Sequence, residues 1–212
     1  MLSKVPCKRD LFSASLSFAN STFNTYGTLS PNLSQLRFGL GTNDIAGFGA
    51  LFDIDLPNAG VAGVSGLLTL KPGEIQLNEL SAQLGLSSMT GALAVDTRTE
   101  RTKLSGKLAV SRLNLRPFLG QDAEEEPPTD IPALYRSLTR AKIDLQTLNH
   151  QDVDLVLSVD EWISLPGDLQ QTTLALKLDH GKFSMPMTAR IAGVPFKAEM
   201  RADGSRAIPT FQ

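Results

Sequence analysis

Apolar and polar residues alternate along most of this chain. In Leu11-Phe12-Ser13-Ala14-Ser15-Leu16-Ser17-Phe18, small polar residues interleave with apolar ones. Leu104, Gly106, Leu108 and Val110 alternate with Lys103, Ser105, Lys107 and Ala109. The same rhythm returns in Val153, Leu155, Leu157 and Val159, and in Leu174, Leu176 and Leu178. It runs again through Phe183, Met185, Met187, Ala189 and Ile191, then Phe196, Ala198 and Met200. Successive side chains of a strand point to opposite faces, so this alternation predicts strands with one buried and one wet face. By the same reasoning Gly49-Ala50-Leu51-Phe52-Asp53-Ile54-Asp55-Leu56 reads as a strand, with Phe52, Ile54 and Leu56 opposite Asp53 and Asp55.

Turn chemistry separates these runs. Ser30-Pro31-Asn32, Pro57-Asn58-Ala59-Gly60, Lys71-Pro72-Gly73, Pro166-Gly167-Asp168, Asp179-His180-Gly181 and Asp203-Gly204 supply the fixed or positive φ that tight turns need. About a dozen strands joined by short turns predict an antiparallel meander, hence an all-β fold with little helix. One segment breaks the pattern. Residues 121–130 hold Glu124, Glu125, Glu126, Pro127 and Pro128 and no apolar rhythm, which predicts an exposed acidic linker. Leu134 and Leu138 just after it are four apart and predict a short helix near 132–139. The chain then divides into a first β segment, 1–120, the linker, and a second β segment, 131–212. Pro72-Gly73-Glu74-Ile75 and His180-Gly181-Lys182-Phe183 are matching turn-into-strand units, one in each half, and form a loose internal repeat.

Composition narrows the function classes. Lys and Arg are scattered and the net charge is −2, so no basic footprint for nucleic acid exists. Cys7 is the single cysteine, which rules out an intramolecular disulfide framework. The first 20 residues lack the apolar core of a signal peptide, and the apolar runs are strand-sized. Two Tyr and one Trp are too few for the aromatic girdles of a transmembrane barrel.

No arrangement for catalytic chemistry emerges from the sequence. His150 and His180 have neither HExxH spacing nor a Cys partner, so no metal site is expected. Gly63-Val64-Ser65-Gly66-Leu67 departs from the nucleophile elbow at its last position. Gly39-Leu40-Gly41-Thr42-Asn43-Asp44 starts like a dinucleotide loop but lacks the third glycine, and no helix is predicted after it. Trp162 reads as a core or edge plug. The expectation is a protein that is not an enzyme and takes no cofactor.

The order of the hairpin elements resembles the C-terminal region of the AsmA-like family. The resemblance rests on Leu68-Thr69-Leu70-Lys71-Pro72-Gly73-Glu74-Ile75-Gln76-Leu77, on Leu80-Ser81-Ala82-Gln83-Leu84-Gly85 and on Gly91-Ala92-Leu93-Ala94-Val95-Asp96. It continues through Leu104-Ser105-Gly106-Lys107-Leu108 and Leu113-Asn114-Leu115-Arg116-Pro117-Phe118-Leu119, up to the acidic break. Beyond the break it rests on Asp179-His180-Gly181-Lys182-Phe183 and Gly193-Val194-Pro195-Phe196-Lys197-Ala198. The resemblance implies an elongated, twisted β-groove in the periplasm, tied to the inner membrane by an N-terminal anchor that this sequence does not contain. It also implies a part in lipid homeostasis and outer-membrane assembly, with phospholipid as ligand and other envelope proteins as possible partners.

A sheet that curls without closing leaves an apolar face on which acyl chains can lie. A dozen strands at about 4.8 Å each extend roughly 50–60 Å, more than the ~40–45 Å thickness of a bilayer. Gly106, Ala109, Ala175, Ala189 and Ala198 would leave room for bending and for lipid tails. The expected contacts are Leu108, Val110, Leu155, Leu157, Leu176, Leu178, Met187 and Ile191. The same alternation equally suits a sandwich whose core is filled by its own side chains, that is, a structural spacer or interaction module.

Overall fold

A computed structural model describes residues 10–18, 20–50, 60–114, 151–163, 169–203 and 210–211. The elements are β1 (Asp10–Phe18), β2 (Ser21–Leu29), β3 (Ser34–Thr42), α1 (Ile45–Ala50), β4 (Ala62–Lys71), β5 (Glu74–Leu84) and β6 (Ser87–Asp96). They continue with β7 (Thr102–Asn114), β8 (Gln151–Ile163), β9 (Leu169–Asp179), β10 (Lys182–Ile191), β11 (Val194–Asp203) and β12 (Thr210–Phe211). All twelve strands lie in one sheet, in sequence order. The sheet is open, because β1 and β12 stand at its two ends and do not pair with each other. At about 4.8 Å per strand it extends about 50–55 Å.

The predicted all-β meander is thus present, with two corrections. The first concerns direction. Ten of the strand pairs are antiparallel, but β7 and β8 run parallel, with Thr102 opposite Gln151 and Asn114 opposite Ile163. Parallel neighbours cannot be joined by a hairpin and need a long connection. Here the chain leaves β7 at Asn114 and re-enters β8 at Gln151, at the opposite end of the pair. The acidic segment 121–130 and the helix predicted near 132–139 belong to that connection and lie outside the described residues, as do Cys7 and His150. The two β segments on either side of it are parts of one hydrogen-bonded sheet.

The second correction concerns residues 49–56. Gly49 and Ala50 are helical, at the end of α1, and 51–59 lie outside the described residues. A short helix therefore does follow the Gly39-Leu40-Gly41 run, which is itself the end of β3. Asp44 caps that helix, its Oδ1 accepting from the Gly47 backbone N–H at 2.9 Å.

Two-residue turns close four of the described hairpins: Pro72-Gly73, Gly85-Leu86, His180-Gly181 and Ala192-Gly193. In the last two, both residues have positive φ: 49° and 77° at His180 and Gly181, 48° and 78° at Ala192 and Gly193. That is the turn whose twist matches the right-handed twist of the flanking strands. Bulges at Glu79 (φ 52°) and Gln171 (φ 47°) fall where the β4–β5, β5–β6 and β9–β10 registers shift, adding local twist.

The described strands form a single layer. Every pair of elements in substantial contact is a pair of sheet neighbours. Among the described residues the buried apolar set is small: Leu80, Val110, Val153, Val159, Leu178 and Ala189. A two-layer sandwich would bury far more side chains, so the described strands do not form a sandwich.

Candidate functional site

Direct cross-strand partners share a face of a sheet, so the register decides which residues stand together. Phe12 faces Gly27, Gly27 faces Leu36, and Leu36 faces Leu68. Leu68 faces Leu77, Leu77 faces Leu93, and Leu93 faces Gly106. Gly106 faces Leu155, which faces Leu176. This one row crosses nine strands without a charged residue. A second row runs from Leu80 through Gly91, Leu108 and Leu157 to Leu174, Met187 and Ala198. A third joins Ile75, Val95, Leu104, Val153, Leu178, Phe183 and Ala202. One face of the whole sheet is therefore apolar.

The other face is polar. Lys103 pairs with Asp96 and Asp152, Asp154 with Lys177, and Ser184 with Arg201. Leu11, Leu67 and Val156 are its large aliphatic exceptions. A hollow of about 330 Å³ lies largely on this side, where Gly39, Gly41 and Gly63 leave space between Thr22, Asn24, Ser65, Ser81 and Gln83.

All eight predicted contact residues stand on the apolar face, though not in equal positions. Val110 and Leu178 are only 5% and 4% exposed and have little surface left for a ligand. Leu108, Leu155, Leu157, Leu176, Met187 and Ile191 are half-buried, and no second layer of described residues lies over them. The small residues divide: Gly106, Ala189 and Ala198 are on the apolar face, whereas Ala109 and Ala175 are on the polar one, opposite Ser158 and Val156. The prediction also omitted half of the surface. Leu36, Leu40, Val64, Leu68, Leu77 and Leu93 extend the same face through β3 to β6. Their signal was present in Gln35-Leu36-Arg37-Phe38-Gly39-Leu40, which alternates as cleanly as the later strands.

The face is bounded at both strand ends. At one end Val159 and Thr172 are each 1% exposed and face one another. Trp162 donates from Nε1 to Thr172 Oγ1 at 2.8 Å, so the indole is one of the groups that cover this end. The other rim is ionic. Arg98 pairs with Asp96 and reaches Glu74, while Arg101 Nε donates to Asp152 Oδ1 at 2.8 Å. Hydrogen bonds from the Arg98 side chain, then from its backbone N–H, hold the Asp96 carboxyl down at about 2. The Arg101 side chain, then the His180 backbone N–H, lower Asp152 in the same way.

Asp152, Asp179 and His180 bring three ligand-type atoms within 4.8 Å of one another. Asp152 Oδ1, however, already accepts from Arg101 Nε and from the His180 N–H at 3.1 Å. A guanidinium thus stands where a cation would need the carboxylate, and the cluster reads as a strand-end latch. No described helix is long and apolar enough to cross a membrane.

The half-buried stripe offers a chain-like apolar molecule a surface along its length. In comparisons with family models, curated proteins and solved structures, nothing matches this chain.

Proposed function

We propose that this chain is a non-enzymatic envelope segment of AsmA type, in which the apolar face of the sheet takes the acyl chains of phospholipid. The observation that carries the reading is the apolar stripe, continuous from β1 to β11, half-buried in its middle and, among the described residues, not covered by a second layer. Burying apolar surface is favourable by about 25 cal/mol per Å², so an uncovered stripe of this length favours an apolar ligand. Head groups would lie at the rims, where the Arg98, Arg101 and Asp152 cluster and the polar turns meet water. A periplasmic site and attachment to the inner membrane belong to the same proposal. They rest on the resemblance in the order of hairpin elements.

The test is native mass spectrometry of protein purified from bacterial cells, followed by extraction and identification of bound lipid. Phospholipid is expected on the wild type. It should fall at least about fivefold in Leu155→Asp or Leu176→Asp, which put a carboxylate in the middle of the stripe. Val156→Asp, on the polar face, should keep it. Ligand-free protein that also takes up no fluorescent phospholipid would overturn the proposal in favour of a structural spacer.

A further inference from the structure

We propose that Met185, Met187 and Met200 make the β10–β11 part of the apolar face a reversible redox switch, on which oxidation to sulfoxide releases acyl chains. The inference rests on the reading of that face as a phospholipid surface. The chain has five methionines. The four that are described, Met89, Met185, Met187 and Met200, all stand on the apolar face. Three of them adjoin one another. Met185 and Met200 are direct cross-strand partners, and Met187, two positions along β10, faces Ala198. The Met185–Met200 pair lies between the row that ends in Ala198 and the row that ends in Ala202, in line with Leu176. Met200 is 46% exposed, and Met185 and Met187 are half-buried. In β7, β8 and β9 the same three rows hold only Leu, Val and one Gly.

In these rows only the thioether reacts with a peroxide. A sulfur lone pair attacks one oxygen of hydrogen peroxide, so an S–O bond forms and the O–O bond breaks. Sulfur is oxidised by two electrons and the peroxide is reduced. The departing hydroxide takes the proton of the transferred hydroxyl and leaves as water. While reduced, the flexible and polarizable Met side chain adapts to apolar surfaces of varied shape. The sulfoxide is a polar acceptor in its place. An acyl chain lying over it would strip its water and offer no hydrogen bond in return. Because the three sulfur atoms belong to adjoining positions, their oxidation removes one end of the stripe from the surface a lipid tail can use. Enzymatic reduction of the sulfoxide restores the thioether, so the change can be undone.

The test uses the full chain with Cys7→Ser as background, so that peroxide meets no thiol, and a fluorescent phospholipid as probe. After hydrogen peroxide treatment, peptide mass mapping should find sulfoxide at Met200 ahead of the half-buried Met89. Affinity for the probe should fall about fivefold or more and return after treatment with methionine sulfoxide reductases. The triple variant Met185→Leu, Met187→Leu, Met200→Leu should take up the probe and be indifferent to peroxide. Met200→Gln, which places a polar group there permanently, should weaken uptake without any oxidant. Methionines 185 and 200 that stay reduced, oxidation at both with uptake unchanged, or an equal loss in the triple variant overturns the switch and leaves the lipid surface standing. Untreated protein that takes up no phospholipid overturns the reading of the face and the switch with it. Circular dichroism establishes that each variant folds, and Met200→Gln decides the matter if the triple variant does not.

Discussion

The Asp96 carboxylate receives Arg98 Nε at 2.9 Å and a second guanidinium nitrogen at 2.6 Å, a bidentate pair at the turn between β6 and β7. Its folded pKa, about 2, lies below the unfolded value of about 3.9. The pair's contribution to stability is therefore complete above about pH 4 and lost as the pH falls towards 2. An NMR titration of the Asp96 side chain should show it ionised down to about pH 2.5, and Arg98→Ala should return it towards the ordinary value. Gly106 makes a steric demand instead. A Cβ there would stand 2.4 Å from the Ala92 carbonyl oxygen, so Gly106→Val should cost about 1–3 kcal/mol in urea unfolding. Ala192 holds φ 48°, a conformation that costs an L-residue about 1–2 kcal/mol. Ala192→Asn should recover about 0.5–1 kcal/mol of this, read by the same unfolding curves. The Pro72-Gly73 and His180-Gly181 turns were legible because glycine marks the positive φ. At Ala192 the first turn residue is not a turn former, and only Gly193 hinted at the reversal.

Strands carry their burial unevenly. In β8, Val159 is buried at a closed end while Leu157, one step along the same face, is half-buried. Val159→Ala should cost about 1.5–3 kcal/mol, through lost transfer energy and a cavity. Leu157→Ala removes more atoms yet should cost less, about 1 kcal/mol, because its surroundings are not closed. In a dry sandwich core that order would reverse, so thermal denaturation of the two variants separates an open face from a filled one. Period-two alternation identified the strands because each has one apolar face. It was blind to strand direction, which is why the parallel β7–β8 pair was not foreseen: side chains alternate identically in either direction. Helix α1 escaped for another reason. Ile45-Ala46-Gly47-Phe48-Gly49-Ala50 is too short for a helical period and contains two glycines, leaving the Asp44 cap as its only signal.

At the scale of the whole molecule, each described strand makes its substantial contacts with its sheet neighbours, which makes the sheet's stability largely a sum of local interfaces. Amide hydrogen exchange should be slowest in the central strands β6 to β9 and fastest in β11 and β12. The apolar face was legible in kind and not in extent. Alternation gives each strand a greasy side, and only the register aligns those sides from one edge to the other. Because no distant described strand packs across the sheet, a hairpin can be inserted or deleted among the described strands without repacking the others. Each such event changes the span by about 9.6 Å, two strand spacings, and preserves which side is apolar. Reach is therefore a quantity that this architecture can adjust in steps, as a ruler is cut to the distance it must cover.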